Sequence, residues 1–354
     1  MTSTLFLSDA VSALIPAGSR LPFDDAVLGD TILNRKGQVR RDAGTVLSAL
    51  DVSGDVVACL PLSATTCQML KVRAGIGRQV NHTDVSGALE RALGQAGGTN
   101  LAVVSAEPSQ IRLDGVPVEG SPVGEPAQSF EMDVTSFVSP LPFLADLEKA
   151  CEEAGLSLQG VMSSEEALAA SLSAIDDARL PLILCDAWHT KIVQLNDDSV
   201  TASVTVSVGA GHLALDLKTA FALDDKDADK CADRFLYDRC AEDDQEKVRV
   251  AAARLEELVE ACRQAADQAS IDFHDAVLVG LPPTPLVTAA FARAGFQVSG
   301  PGLRLTRKDP AILALIAGAA RLAEGAVPRA ATTAMQLEAP RTKVTALEWI
   351  RRNF

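Results

Sequence analysis

"RLPLILCDAWHTKIVQLNDDSVTASVTVSVGAGHLALDL", residues 179–217, is the stretch whose reading decides the fold. An apolar run, Leu180 to Leu184, reads as a buried strand that delivers an acid, Asp186, to a tight turn of the kind that cradles phosphate. Such a turn needs glycines, so that backbone N–H groups can come close to phosphate oxygens. Ala187, Trp188 and His189 stand there instead, followed by Thr190. Strand character continues to about Val208, and Gly209, Gly211 and His212 then open a helical pattern. The order of elements is that of a nucleotide-binding α/β unit whose turn has lost its small residues.

The same order of strands and helices occurs upstream. "STLFLSDAVSALIPA" (3–17) reads as two short strands around Asp9, "RRDAGTVLSAL" (40–50) as a helix and "GDVVACLP" (54–61) as a buried strand. Asp84 marks a helix start for "DVSGALERALGQA", and residues 100–139 alternate short apolar runs with "DG", "EG" and "GEP" turns, as a small β-rich unit does. Two helices follow, "PFLADLEKACEEAGL" and "SSEEALAASLSAI", the second capped by Ser163 or Ser164. Beyond the opening stretch come a charged segment (224–247), a long amphipathic helix (247–269), a strand, a Gly-Pro turn and a helix (275–296), and a small-residue-rich helix (309–325). Two related α/β halves, meeting near residue 180, are the expected architecture.

Composition narrows the function. The 354 residues suffice for two domains with their own cores, and 47% hydrophobic with 22% charged residues is ordinary for a globular chain. Aromatics at 4% leave Ala, Val, Leu and Ile to build those cores. A net charge of −15 argues against nucleic-acid binding, which needs clustered Lys and Arg. Seven cysteines, an odd number without a CxxC pair, are expected as reduced thiols of a cytoplasmic protein. The N-terminus lacks the basic start of a signal peptide, and no window approaches the ~18 apolar residues of a membrane span. Four histidines without HxxxH or HxH spacing give no metal site, and the acidic run Asp224–Asp229 lacks the Gly and Glu of a calcium loop, so it reads as a solvated face.

After Gly325, "AVPRAATTAMQLEAPRTK" has no apolar period and reads as a linker (326–341), ahead of "VTALEWIRRNF". On a helical wheel Leu347, Trp349, Ile350 and Phe354 share one side, and Arg351 and Arg352 lie on the other. An interfacial helix buries such an apolar side among acyl chains and leaves its Arg residues near the phosphates of anionic lipids. The alternative is a helix docked on its own domain or in a protein groove.

Several stretches in order resemble FtsA, the actin-like family that tethers the bacterial division ring to the membrane. "ACLPLSATTCQMLKVRAGIGRQVNHTDVSGALERAL" is similar to the passage into the family's 1C subdomain, and "EMDVTSFVSP" with "LEKACEEAGLSLQGVMSSEEALAASL" to the return from it. "TVSVGAGHLALDL" resembles the hairpin and helix start after the second phosphate loop. "AVLVGLPPTPLVTAAFARAGFQVSGPGL" with "DPAILALIAGAARLAEG" resembles the adenosine loop and closing helix, and "ALEWIRRNF" the membrane-targeting tip. The resemblance implies an actin-like two-domain ATPase fold, two related α/β halves around a cleft, with a 1C subdomain and a C-terminal amphipathic helix. It divides the chain into 1A (1–73 and 141–180), 1C (74–140), 2A (181–223 and 271–325), a 2B-like unit (224–270), the linker and a tail at 342–354. It also implies an FtsZ-like partner, self-association into filaments, and a place on the inner face of the cell membrane at the division site.

In that superfamily two hairpins, D-x-G-[ST] and D-x-G-G-G-T, clasp the phosphates of ATP and its Mg²⁺. Here Asp9 is followed by Ala10, Val11 and Ser12, and Asp186 by the bulky turn and Thr190. The adenosine loop keeps Gly280 but continues into Leu281, Pro282 and Pro283, and only Gly209 and Gly211 look intact. The residual nucleotide site would be Asp9, Asp186, Thr190, Gly209, Gly211 and Gly280. Three loops degraded together point to a body that no longer needs ATP, with no catalytic residue assigned and each acid kept for hairpin hydrogen bonding. Two alternatives remain: an active ATPase in which Trp188 stacks on the nucleotide, and a platform for another envelope machine, like the PilM relatives of FtsA.

Overall fold

The computed structural model describes residues 3–16, 26–51, 53–167, 181–196, 199–272 and 274–299. Apolar strands flanking Asp9, β1 (Ser3–Leu7) and β2 (Val11–Ile15), pair as an antiparallel hairpin, and β3 (Val27–Asp30) adds to β2. On the other side of β1, β4 (Gly54–Cys59) and then β9 (Leu156–Met162) run parallel, giving the order β3-β2-β1-β4-β9. Helices α1 (Ala43–Ser48) and α3 (Leu141–Glu153) provide connections and pack on each other. The two strands around Asp9, the helix read in 40–50, the buried strand read in 54–61 and the helix read in 142–156 agree with these elements, while most of the helix read in 163–175 lies outside the described residues.

The second half repeats the pattern. β10 (Leu182–Cys185) pairs antiparallel with β11 (Thr190–Asn196), and β11 with β12 (Ser199–Val206). β13 (Asp275–Val279) and β14 (Gln297–Ser299) extend the sheet in parallel from the other side of β10, in the order β12-β11-β10-β13-β14. Strand order and direction match the first sheet strand for strand. Internal sequence similarity too weak to show a duplication is thus matched by identical topology. Helices α4 (Gly211–Phe221), α5 (Asp225–Leu236), α6 (Gln245–Ala269) and α7 (Pro285–Arg293) accompany this sheet.

Between β4 and β9 a third sheet is inserted. β5 (Thr66–Gln79), β6 (Leu101–Leu113), β7 (Val116–Pro117) and β8 (Pro126–Pro140) form an antiparallel sheet of order β5-β8-β6-β7. Helix α2 (His82–Ala96) lies on one face of it, with Val85, Ala88 and Leu89 against Phe130, Met132 and Val134. The helix cap is Asn81, not Asp84: Asp84 is the third residue of a capping box in which each side chain accepts the other's backbone N–H, both at 2.9 Å. β5 begins at Thr66, well before the β-rich stretch suggested by turn signals. Its Lys71, Arg73, Gly75 and Gly77 disguise the strand.

Alternation along the strands divides the apolar residues between two cores. Ile183, Ile192 and Leu278 point to one face of the second sheet, where they meet Leu213, Leu258 and Phe291 of the helices. Leu182, Leu184, Val193, Val277 and Val279 point to the other face and join the core built on Leu5, Leu14, Val56 and Ala58 of the first half. One apolar cluster therefore spans both halves. Among the described residues no helix is long and apolar enough to cross a membrane. The expected closing helix (309–325), linker and tail lie outside the described residues.

Candidate functional site

The two hairpin turns, Asp9 between β1 and β2 and Asp186 between β10 and β11, face each other across the junction of the halves. Strand pairing places each acid at its turn. The backbone N–H of Asp9 donates to Asp186 Oδ2 at 2.9 Å, and the N–H of Trp188 donates back to Asp9 Oδ2 at 3.3 Å. His189 Nδ1 lies 2.8 Å from the same Asp9 oxygen, and Ser63 Oγ donates to Asp9 Oδ1 at 3.4 Å. Asp186 Oδ1 accepts the N–H of Ala187 within its own turn at 2.8 Å. The acids do serve in hydrogen bonding as their structural reading required, but chiefly to the opposite hairpin rather than their own. The Asp9 side chain is fully buried, and a buried carboxylate needs this complete set of donors.

The glycines owe their place to the same closeness. A Cβ on Gly209 would stand 2.3 Å from the Asp186 carbonyl oxygen, and one on Gly211 2.8 Å from that of Ala187. These two carbonyls accept the N–H groups of Ala210 (2.9 Å) and Gly211 (2.7 Å), so the start of α4 is seated on the second turn. Gly280, with φ of +95°, would put a Cβ 1.8 Å from the Cys185 carbonyl oxygen. Thr190 is buried, and its hydroxyl donates to the Val208 carbonyl at 2.7 Å. The structure thus gathers Asp9, Asp186, Thr190, Gly209, Gly211 and Gly280 around one junction and engages them with protein atoms.

Trp188 sits in a sandwich of side chains. The His212 ring meets it edge-on with centroids 5.2 Å apart, and the Arg35 guanidinium lies 5.1 Å from its centroid. His212 Nδ1 accepts the Gly209 N–H at 3.1 Å, so the neutral ring carries its proton on Nε2, and burial holds its pKa below the usual imidazole value. Arg35 belongs to a tight turn in the first half, closed by the bond from the Gly37 N–H to the Asn34 carbonyl at 2.9 Å.

A Mg²⁺-triphosphate seated between the turns would require the Asp9 and Trp188 amides and both carboxylates as its own ligands. In this arrangement those groups are bonded to one another, and Trp188 with its partners lies beside the second turn. Among the described residues no group of three or more His, Cys, Asp or Glu could hold a metal ion.

A second junction, for which the sequence carries no signal, lies one strand position beyond Thr190. The Lys191 ammonium is wholly buried and donates to Glu165 Oε1 (2.5 Å) and to the Thr65 carbonyl and hydroxyl oxygens (both 2.9 Å). The Thr65 hydroxyl lies 3.0 Å from Glu165 Oε2, and the Ser203 hydroxyl donates to Oε1 at 3.4 Å. Lys191 and Ser203 belong to the second sheet, while Thr65 and Glu165 belong to the first half. Nothing in "TKIVQL" distinguishes this Lys from a solvent-facing one; Ser63, Gly37 and Arg35 likewise carry no motif. The candidate membrane residues Leu347, Trp349, Ile350, Arg351, Arg352 and Phe354 lie outside the described residues.

No protein-family profile matches the chain, and no curated protein is similar to it in sequence. Among solved structures, a PilM–PilN type IV pilus biogenesis complex superposes with a TM-score of 0.67 at 14% identity, covering 90% of this chain and 98% of that one. The ethanolamine utilization protein EutJ from Carboxydothermus hydrogenoformans reaches 0.49 at 13% identity over 90% and 89% of the two chains. A MamK double helical filament reaches 0.39 at 17% over 52% and 65%, and no conclusion rests on these last two. The first likeness, with the repeated strand order, shows that this chain has the actin-like two-domain ATPase fold.

Proposed function

We propose that this chain is an actin-like body that works without nucleotide, holding protein partners at the cytoplasmic face of a membrane. The observation that carries the proposal is the reciprocal bonding of the two aspartate turns, Asp9 N–H to Asp186 and Trp188 N–H to Asp9, where phosphates would sit. The buried Lys191–Glu165 junction supports it as well, since a cleft that opens to exchange ligand would have to break the Lys191 bonds to Glu165 and Thr65 across the halves. Isothermal titration with ATP and Mg²⁺ is the test. The proposal expects no binding heat; micromolar binding that disappears in Asp9→Ala and Asp186→Ala would overturn it.

The partner is an assembly of the cell envelope. The likeness to the PilM–PilN complex supports a PilM-like platform for such a machine. The similarity of "ALEWIRRNF" to the FtsA tip supports a second reading, a tether and filament partner for an FtsZ-type division ring. A pull-down of the full chain against a PilN-type protein and against the FtsZ C-terminal peptide separates the two. In either case Leu347, Trp349, Ile350 and Phe354 would insert among acyl chains, and Arg351 and Arg352 would each contribute on the order of 1 kcal/mol at an anionic surface. Deleting residues 342–354 should abolish co-sedimentation with anionic vesicles; unchanged pelleting would dismiss the tail as the anchor.

A further inference from the structure

Of the seven cysteines, Cys59, Cys151, Cys185 and Cys262 are buried, and Cys67 is half-buried between the halves with its thiol pushed up to about 12, chiefly by burial. Cys231 and Cys240 differ. Both are half-buried, and both border a single cavity of about 10 Å³, room for roughly one water, together with Arg234, Asp244 and Lys247. Chain reversal puts them there. Helix α5 ends in a left-handed residue, Asp238 (φ 53°), with the Arg239 N–H on the Arg234 carbonyl (2.7 Å) and the Asp238 N–H on that of Phe235 (3.0 Å). This is a Schellman turn, and it folds the next residue, Cys240, back along the helix towards Cys231.

We propose that Cys231 and Cys240 are a modification site, a thiol pair that hydrogen peroxide converts reversibly to a disulfide. The Cys231 thiolate attacks one peroxide oxygen, the O–O bond breaks, and the expelled hydroxide takes up the proton the thiol gave off, leaving water and a sulfenic acid. The Cys240 thiolate then attacks the sulfenic sulfur and forms the S–S bond, and the displaced hydroxide takes up the second thiol proton as the second water. Two sulfurs lose two electrons in all, and one peroxide becomes two waters. Burial and then the Asp244 carboxylate raise the pKa of Cys240, which disfavours its thiolate. The bond closes a short loop and pins the C-terminal half of α5 to the segment entering α6. Leu236, at that end, already accepts the Thr284 hydroxyl at 2.8 Å, so the link stiffens the layer that caps the second sheet.

The test uses the full chain, treated natively with one equivalent of hydrogen peroxide, alkylated with iodoacetamide and digested with trypsin without reductant. The proposal expects residues 231–234 linked to residues 240–247, two hydrogens lighter than the separate peptides, and restored to thiols by dithiothreitol. Cys185 and Cys262, neighbours in the interior, should remain thiols and act as the internal control. In Cys240→Ser, a dimedone adduct is expected on Cys231. Alkylated thiols at both positions, or linkage of either to another cysteine, would overturn the pairing. Absence of the dimedone adduct would overturn the assigned attack.

Discussion

Replacing Lys191 by Met tests whether the two halves behave as one body. Lys191 and Glu165 are both fully buried and 2.5 Å apart, on opposite sides of the junction. Methionine keeps the length of the stem but removes the charge, leaving the Glu165 carboxylate, among the described residues, with the Thr65 and Ser203 hydroxyls. Breaking a buried pair from one side costs about 3–5 kcal/mol, most of it the price of an uncompensated buried charge. Removing both charges, as in Lys191→Met with Glu165→Leu, leaves an apolar contact and should restore stability to within about 1 kcal/mol of the parent. Equilibrium urea unfolding, followed by the fluorescence of Trp188 in the junction, measures all three proteins. The shared apolar core predicts one transition for the parent, shifted to lower urea at constant slope in the single variant. A single variant costing under about 1 kcal/mol, or a double variant no better than the single, would refute the reasoning.

Three further outcomes follow from the junction. Gly280→Ala combines a positive φ with a Cβ 1.8 Å from the Cys185 carbonyl, so a loss on the order of 4 kcal/mol or more is expected, read as lost Tm or soluble yield. Asp9→Asn keeps the volume but gives up the acceptor shared by Trp188 and His189, and should lower stability by about 1–3 kcal/mol in the same urea assay. His212 has its pKa held below 6.5, mainly by burial. As pH falls through 6.5 the unfolded chain takes up this proton before the folded one, so stability is full above that pH and declines below it. His212→Gln should flatten that part of a Tm profile taken between pH 5 and 8.

Much of the fold was legible because strands and helices write their periods locally. The apolar runs around Asp9 and before Asp186, the helical spacing of α3 and α6, and the turn residues of the inserted sheet each sufficed for an element. β5 was hidden because its exposed positions carry Lys, Arg and Gly, and it is recognised only through its pairing with β8. The repeat of the halves was a suspicion in the sequence, since hydrophobic identity drifts freely while strand order is held by packing.

The site divides along the same line. Sequence alone determined that residues bulkier than glycine follow Asp9, Asp186 and Gly280, because a missing Cβ is a local property of one position. Only the tertiary structure decided what the surviving residues do: Asp9 and Asp186 are 177 positions apart, and their bond exists because two hairpins meet. Lys191 is the clearest case. Its burial against Glu165 and Thr65 depends on which face of β11 meets the first half, and a charged residue in an apolar strand says nothing of that until both sheets are in place.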